Sequence, residues 1–514
     1  MIDLVRLSAA DLQSLQVAGS LTSSDLAKLS LQQIAKYDIK GPELRAIIAL
    51  VPEKFIFERT TFLDEERRAG RLLGPLHGIP IILKDIINTP PEWGILTTQG
   101  SWALEKSKHK EQAPLVEKLL DAGVVIIGKT SLTEFGSAKG PEGVGGLSAI
   151  NGQSQSVYVE GFVAKGDEPF AHTNPGGSST GSAVGVAAGY SPISIGGEAN
   201  GSIQTPASRA NLYALKITPQ TLSTEGIFHI VPTVESLGGM AKTVGDLEEV
   251  TRVILQTAKT PVEMTVDRSK TWKDFSFGFV DPGKWRLPSD LFNATEEYCH
   301  QIDTAYSAIQ EKIKGFGGKV AYPADVPHPS TIENGFIGIV NGEFRDTVNS
   351  YLQNLAESEV RSLAEIIQFN KDHPELQAGI SQPWFIGPQE FEQTPEEYAK
   401  VRKQVREDAG EKGLYHVMDE LSLDIICAPT DGPISEISAL AGAPTANIPL
   451  GFLEPSGRPF GLTLVGRPGS EGKMLEIMYL FEAASPERRL PKLVDHQHIE
   501  LVFEALGSKD YPCR

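Results

Sequence analysis

The segment Ile79-Pro80-Ile81-Ile82-Leu83 is wholly apolar, only five residues long, and ends on Lys84-Asp85. A run this short cannot form an amphipathic helix, and with no polar alternation it has no wet face. It reads as a strand buried on both sides. A helical pattern from Pro114 to Ala122 closes on Gly123, and Val124-Val125-Ile126-Ile127-Gly128 repeats the apolar run; Ile193-Ser194-Ile195-Gly196 gives a third. Strands that alternate with helices in this way predict an α/β fold, its sheet covered by helices on both faces.

Three more strand candidates lie near the other end of the chain: Asp424 to Ala428, Thr445 to Gly451 and Gly461 to Gly466. Strands at both ends that return to one sheet predict a single large α/β/α domain over residues 1–514 with a mixed central sheet. Ser8 or Asp11 can cap a helix over Leu12 to Val17, and Thr22 or Ser24 one over Leu26 to Tyr37. Asp64 to Arg71 adds a charged helix. Residues 260–420 differ, with charged helical patterns such as Asp290 to Lys312 and Thr394 to Asp408 separated by proline-marked breaks. This region is expected to be a more variable, mostly helical insertion or lid that contributes to a substrate pocket.

A formal charge of −19 makes the averaged surface repel phosphate backbones and anionic lipid. The densest cationic run, Lys106 to Lys110, is followed at once by Glu111 and reads as a solvated helix face. Nucleic-acid and membrane-surface partners are therefore not expected. The three cysteines, Cys299, Cys427 and Cys513, are too scattered for a metal site or disulfide framework. They fit a reducing compartment. The opening residues lack a basic, then apolar, secretory pattern, and no apolar run reaches the roughly 18 residues of a membrane span. A cytoplasmic protein is expected.

Residues able to do chemistry concentrate between 174 and 207. Asn174-Pro175-Gly176-Gly177-Ser178-Ser179-Thr180-Gly181-Ser182 combines adjacent glycines with hydroxyls at a helix start, a pattern shared by plain serine-capped turns and by anion-binding loops. Gly177 to Gly181 also matches the GxSxG nucleophile elbow centred on Ser179. That elbow needs a hydrophobic strand before it, and Pro169 to Pro175 is not one. Gly196 to Ala207 places Ser202 after a flexible loop whose backbone N–H groups can converge on an oxyanion. Lys84, at the end of its apolar run, either emerges to solvent or is desolvated into the neutral amine that accepts a proton. Asp85 beside it reads equally as half of a surface ion pair.

Together, Gly78 to Asp85, the Gly177-Ser178-Ser179 run and Gly201-Ser202-Ile203 with Pro206-Ala207 closely resemble the amidase signature family. The 24-position separation of Ser178 and Ser202 matches as well. So do Leu119 to Thr130, Lys242 to Asp246, Pro449 to Phe452 and Leu464 to Pro468, so that the resemblance covers most of the chain outside 260–420. It implies a Ser-Ser-Lys triad: Ser202 attacks the carbonyl, Ser178 relays its proton from a cis peptide, and neutral Lys84 is the final base. It further implies an oxyanion hole from the N–H groups of Ala199, Asn200, Gly201 and Ser202, with Gly177 and Ser179 supporting the substrate-binding loop. Many members pair an acid and an arginine around the nucleophile; Glu198, Asn200 and Gln204 stand there in this chain, so that pair is absent.

The expected activity is hydrolysis of a small or medium carboxamide through an acyl-enzyme, requiring no metal or organic cofactor and leaving no task for histidine, His77 and His172 included. The same acyl-enzyme serves an esterase or an acyl-transferring biosynthetic enzyme. Two other readings are a degenerate binding or scaffold protein and a glutamine-dependent amidotransferase A-type subunit. The expected partner is a small-molecule amide or ester, and a homodimer is compatible with all of these.

Overall fold

The computed structural model describes residues 2–164, 173–287 and 295–494. Its strands, in chain order, are β1 (Ile47–Leu50), β2 (Pro80–Lys84), β3 (Val125–Thr130), the two short strands β4 (Leu147–Ser148) and β5 (Gly152–Gln153), β6 (Ile193–Glu198), β7 (Tyr213–Lys216), β8 (Ser236–Ala241), β9 (Ser276–Phe279), β10 (Lys319–Ala321), β11 (Ile425–Pro429), β12 (Thr445–Leu453) and β13 (Arg458–Val465). All but β4 and β5 form one 11-stranded sheet in the order β1-β3-β2-β6-β8-β7-β12-β13-β11-β9-β10. The sheet is mixed: β3, β2 and β6 run parallel, β6 to β11 meet antiparallel, and β11, β9 and β10 are parallel again. Helices flank it, as the alternation of elements predicts. Every residue of β2, β3, β6, β7, β8 and β11 is buried, which explains why these strands read as apolar or small-residue runs without a wet face.

The helix starts follow side-chain capping. Ser8 and Thr22 cap Ala9–Val17 and Ser23–Tyr37 in reciprocal pairs with Asp11 and Asp25, satisfying backbone N–H groups that a first turn leaves free. The charged helix begins well before Asp64, spanning Glu53–Arg68. Lys106 to Lys110 is not a helix face; it is irregular apart from an isolated bridge of Lys108 to Glu357, with Lys106 and Lys108 ion-paired to Glu359 and Glu357.

Within 260–420, helices Glu296–Gly315, Gly335–Gln353, Leu363–Asp372, Pro383–Glu390 and Pro395–Arg406 dominate. The expected helix from Asp290 has its first residues outside the described ones; Thr295 caps the helix Glu296–Gly315. Two short strands of this region, β9 and β10, extend the sheet beside β11. The region is therefore partly built into the sheet as well as laid over it.

Two features aim the sheet at a site. Ile81 and Leu83 of β2 register against Ile193 and Ile195 of β6 in parallel, so both strands end at the same sheet edge. The edge at the carboxyl ends of parallel strands is where α/β folds place ligands. The helix Thr180–Ala187 packs behind, buried along its whole length. Its small side chains are a packing requirement: a Cβ on Gly181 would lie 2.1 Å from the Ala46 carbonyl oxygen.

Candidate active site

Lys84 is the last residue of β2 and is only 2% exposed. Its Nζ donates to Ser178 Oγ at 2.7 Å and to the Gly197 carbonyl at 2.8 Å. Burial pushes the ammonium down from its ordinary 10.5 to about 7, against the upward pull of the Glu235 and Glu198 carboxylates. Lys84 does not emerge to solvent. Asp85 beside it is not a surface residue either: it is buried, ion-paired to Lys129 at 2.7 Å, and accepts from the Thr98 amide and hydroxyl.

Ser178 follows a cis peptide bond from Gly177. Its carbonyl accepts from the Thr133 N–H at 3.1 Å, and the next N–H, from Ser179, donates to the Ser202 carbonyl at 2.9 Å. The two serine-bearing loops are thus joined through the main chain. Ser179 Oγ is fully buried and donates to the Gly197 carbonyl at 3.0 Å. It stands behind the site as a brace. The stretch Pro169 to His172, which weighed against an elbow centred on Ser179, lies outside the described residues.

The Ser202 loop is shaped by Glu198 at the end of β6. One carboxylate oxygen accepts from the N–H groups of Ile203 and Gln204 at 2.6 and 3.0 Å, tying down the start of helix Gln204–Arg209. Gly201 makes the preceding turn at φ +76°, a backbone setting that side chains resist. In place of an acid–arginine pair, Glu198 faces Lys216 at 3.9 Å and accepts from the Thr445 hydroxyl, which Gln204 also reaches at 3.1 Å. Lys216 Nζ donates to the Ala199 carbonyl at 3.0 Å, and Asn200 Nδ2 to Glu436 at 3.2 Å. Burial lowers the Lys216 ammonium to about 8, opposed by Glu198.

A cavity of about 480 Å³ opens over this edge, and Lys84, Gly177, Ser178, Ala199, Asn200 and Ser202 line it. Of the residues expected at the site, Gly201 and Ser179 lie behind the lining. Much of the remaining lining is apolar, including Phe228 and Ile230, with Phe336, Ile337 and Trp384 from helices Gly335–Gln353 and Pro383–Glu390. His77 is packed in the core, its ring nitrogens on the Leu63 carbonyl and Leu73 N–H, and His172 lies outside the described residues.

Sequence reading missed Lys216, which looks like any residue ending a short strand, and the pair His229–Glu235. His229 Nδ1 lies 2.6 Å from a Glu235 oxygen, and both residues line the cavity. Burial raises the Glu235 carboxyl, but His229 and the N–H groups of Ile230 and Val231 outweigh it and hold the group below the usual carboxylate range. Nothing in the local pattern Ile227 to Ser236 marks these residues; only the fold brings them to Lys84. Among the described residues no three His, Cys, Asp or Glu side chains gather as metal ligands.

The family model described as Amidase matches residues 26–436. A probable amidase of Arabidopsis thaliana is 29% identical over 492 residues, covering 92% of this chain and 89% of that protein. The A-type subunit of the glutamyl-tRNA(Gln) amidotransferase from Symbiobacterium thermophilum is 26% identical, covering 93% of this chain and 96% of that protein. The crystal structure of native peptide amidase from Stenotrophomonas maltophilia superposes with a TM-score of 0.81 at 30% identity, covering 95% of this chain and 98% of that one.

Proposed function

The chain belongs to the amidase signature family and is an amide-bond hydrolase, and we propose that it works through an acyl-enzyme on Ser202, with Ser178 as proton relay and Lys84 as final base. The observation that carries this is the 2.7 Å Lys84–Ser178 hydrogen bond in a cavity that Ser202 also lines. An amine held near neutrality can take a proton at physiological pH, which an ordinary lysine cannot.

In the acylation step Ser202 Oγ bonds to the carbonyl carbon while its proton passes to Ser178 Oγ and the Ser178 proton to Lys84 Nζ. The developing oxyanion is held by N–H groups of the Ala199 to Ser202 turn, whose shape Glu198 maintains. As the C–N bond breaks, the proton returns through Ser178 to the leaving nitrogen. Water then attacks the acyl carbon with the same relay as base, freeing the acid and restoring Ser202.

The substrate is a small or medium carboxamide with an apolar portion, a reading supported by the cavity volume and its aromatic wall; a peptide-like amide is consistent with the likeness to peptide amidase. The two described cysteines, Cys299 and Cys427, are free thiols, which supports a cytoplasmic setting. Among the described residues no helix is long and apolar enough to cross a membrane. Intact-mass spectrometry with peptide mapping after fluorophosphonate treatment tests the mechanism. One adduct on Ser202, absent in Ser202→Ala, is the expected result; an adduct on Ser179, or none, overturns it. Including glutamine in the amide screen tests the likeness to the amidotransferase protein, whose reading gains if glutamine is the preferred substrate.

A further inference from the structure

The lining of the cavity includes three polar side chains that the mechanism does not use. Gln99 is 1% exposed and held in the left-handed region at φ +52°; its amide nitrogen donates to the Phe228 carbonyl at 2.9 Å. That leaves Oε1, an acceptor, with no partner among the described residues. His229, 8% exposed, engages Glu235 through Nδ1 and leaves Nε2 unpartnered. Ser236, 4% exposed, leaves its hydroxyl unpartnered. All three residues line the same cavity as Lys84, Ser178 and Ser202.

Buried polar atoms are nearly always paired, so three unpaired ones in residues that line one cavity point to a ligand that completes them. The chemistry of the set is one-sided. The Glu235 carboxylate, fixed by the Ile230 and Val231 N–H groups, accepts from His229 Nδ1–H in the tautomer whose lone pair lies at Nε2. Gln99 Oε1 can only accept, and Ser236 can do either. The wall is also stiff: Phe228 stacks on Tyr351 with ring centroids 4.1 Å apart. It stands close to the relay, because a Cβ built on Gly136 would meet Ile230 Cδ1 and Ser178 Oγ, each at 3.7 Å.

We propose that Gln99 and His229 form an acceptor subsite that takes the N–H groups of the substrate amide, so that this cavity selects amides over the matching esters. The inference rests on the reading of Ser202 as the attacking serine. Both residues are positioning groups for an N–H donor, and an ester, which has none, leaves them unpaired whether or not they are intact.

The test uses 3-phenylpropanamide and methyl 3-phenylpropanoate, which has no N–H, on the wild type, His229→Phe and Gln99→Met, with fluorophosphonate labelling followed in parallel. Losing an acceptor should lower kcat/KM for the amide by about tenfold and for the ester far less, the scale of one hydrogen bond. Equal losses on amide and ester would overturn the proposal and leave these residues as wall packing. If His229→Phe no longer takes the label it is misfolded, and Gln99→Met decides by the same ratio. A wild type that takes no label would instead sink the Ser202 reading, and this subsite with it.

Discussion

Lys84 and Ser178, at the floor of the cavity, are 2% and 1% exposed, whereas Ile337 and Trp384, at its mouth, are 63% and 47% exposed. The floor hangs on strand ends and on a helix with no exposed residue, and its Lys84, Ser178, Ser179 and Glu198 are held by main-chain or buried partners. The mouth stands on two helices of the 260–420 region and presents large apolar side chains to water. Proton transfer needs donor and acceptor fixed to a few tenths of an ångström, which only a packed interior provides. Recognition of an apolar group needs area removed from water, and that the mouth offers.

The largest effect should come from breaking the floor. Lys84→Ala removes the proposed base, and kcat should fall by about 10³- to 10⁴-fold, the upper range for a positioned general base, with circular dichroism unchanged. Retained turnover would take the lysine out of the relay. Ester and amide substrates should lose alike, since both pass through the same acylation.

Next in size is the join between the two regions. Lys139 Nζ, buried, reaches Glu134 Oε1 at 2.8 Å and Gln377 Oε1 at 2.6 Å, while Glu142 takes the Ser381 N–H and hydroxyl. These contacts tie the loop after Thr133, which touches Ser178, to the segment leading into helix Pro383–Glu390. Lys139→Met leaves the Glu134 carboxylate buried without its counter-charge, a loss of about 3–5 kcal/mol, and Glu134→Gln in the same chain should recover much of it. Thermal unfolding of the single and double variants measures this. A drop in Tm without any change in KM would show that floor and mouth work independently.

The floor should also dictate the pH response. With Lys84 near 7, kcat/KM should rise about tenfold per pH unit below that value as the amine loses its proton, then level off. Replacing His229 by Gln should not remove that limb. Stability carries the same signature. Between about 7 and 10.5 the unfolded chain holds a proton on this lysine that the folded chain does not, so stability climbs with pH in that window. Lys84→Met should remove one share of the climb; Lys216 and Lys242, also lowered by burial, keep the rest. An unchanged slope would mean that Lys84 titrates as an ordinary lysine.

The two regions were unequally legible in sequence for the same reason that they differ in structure. The floor is written in local patterns: an apolar pentamer ending on Lys84, adjacent glycines before Ser178, and a glycine turn before Ser202, each demanded by backbone geometry. The resemblance they carry covers this part of the chain, and the strands β2, β3, β6, β11, β12 and β13 fell where apolar runs placed them. Glu198, read as half of a missing ion pair, proved instead to hold Ile203 and Gln204 by their N–H groups. The mouth has no such code. Phe336 and Trp384 are separated by 48 positions and line one cavity only because helices Gly335–Gln353 and Pro383–Glu390 pack together. His229 is likewise brought to the cavity by a loop tied to the residues after Lys84 through the Ile87–Ile227 bridge, and β9 and β10 join the sheet from a stretch whose charged texture reads as helical insertion.

The smallest effects should come from the mouth itself, and they test whether it recognises substrate or merely closes the fold. Trp384→Ala removes an indole that is already about half exposed, so the loss in Tm should be modest, well below the 3–5 kcal/mol of burying an aromatic completely. Its effect on KM should depend on the substrate: about tenfold for an amide with an aromatic side chain, where indole area is covered on binding, and near unity for acetamide, which cannot reach it. Ile337→Ser should act the same way but more weakly, with stability changed by no more than about 0.5 kcal/mol because most of that side chain is already in water. Raised KM values that do not discriminate between the two substrates would assign these side chains to packing alone. A kcat change shared by both would mean instead that the mouth reaches the relay through the Lys139 clasp, and the division between a fixed floor and a recognising mouth would have to be redrawn.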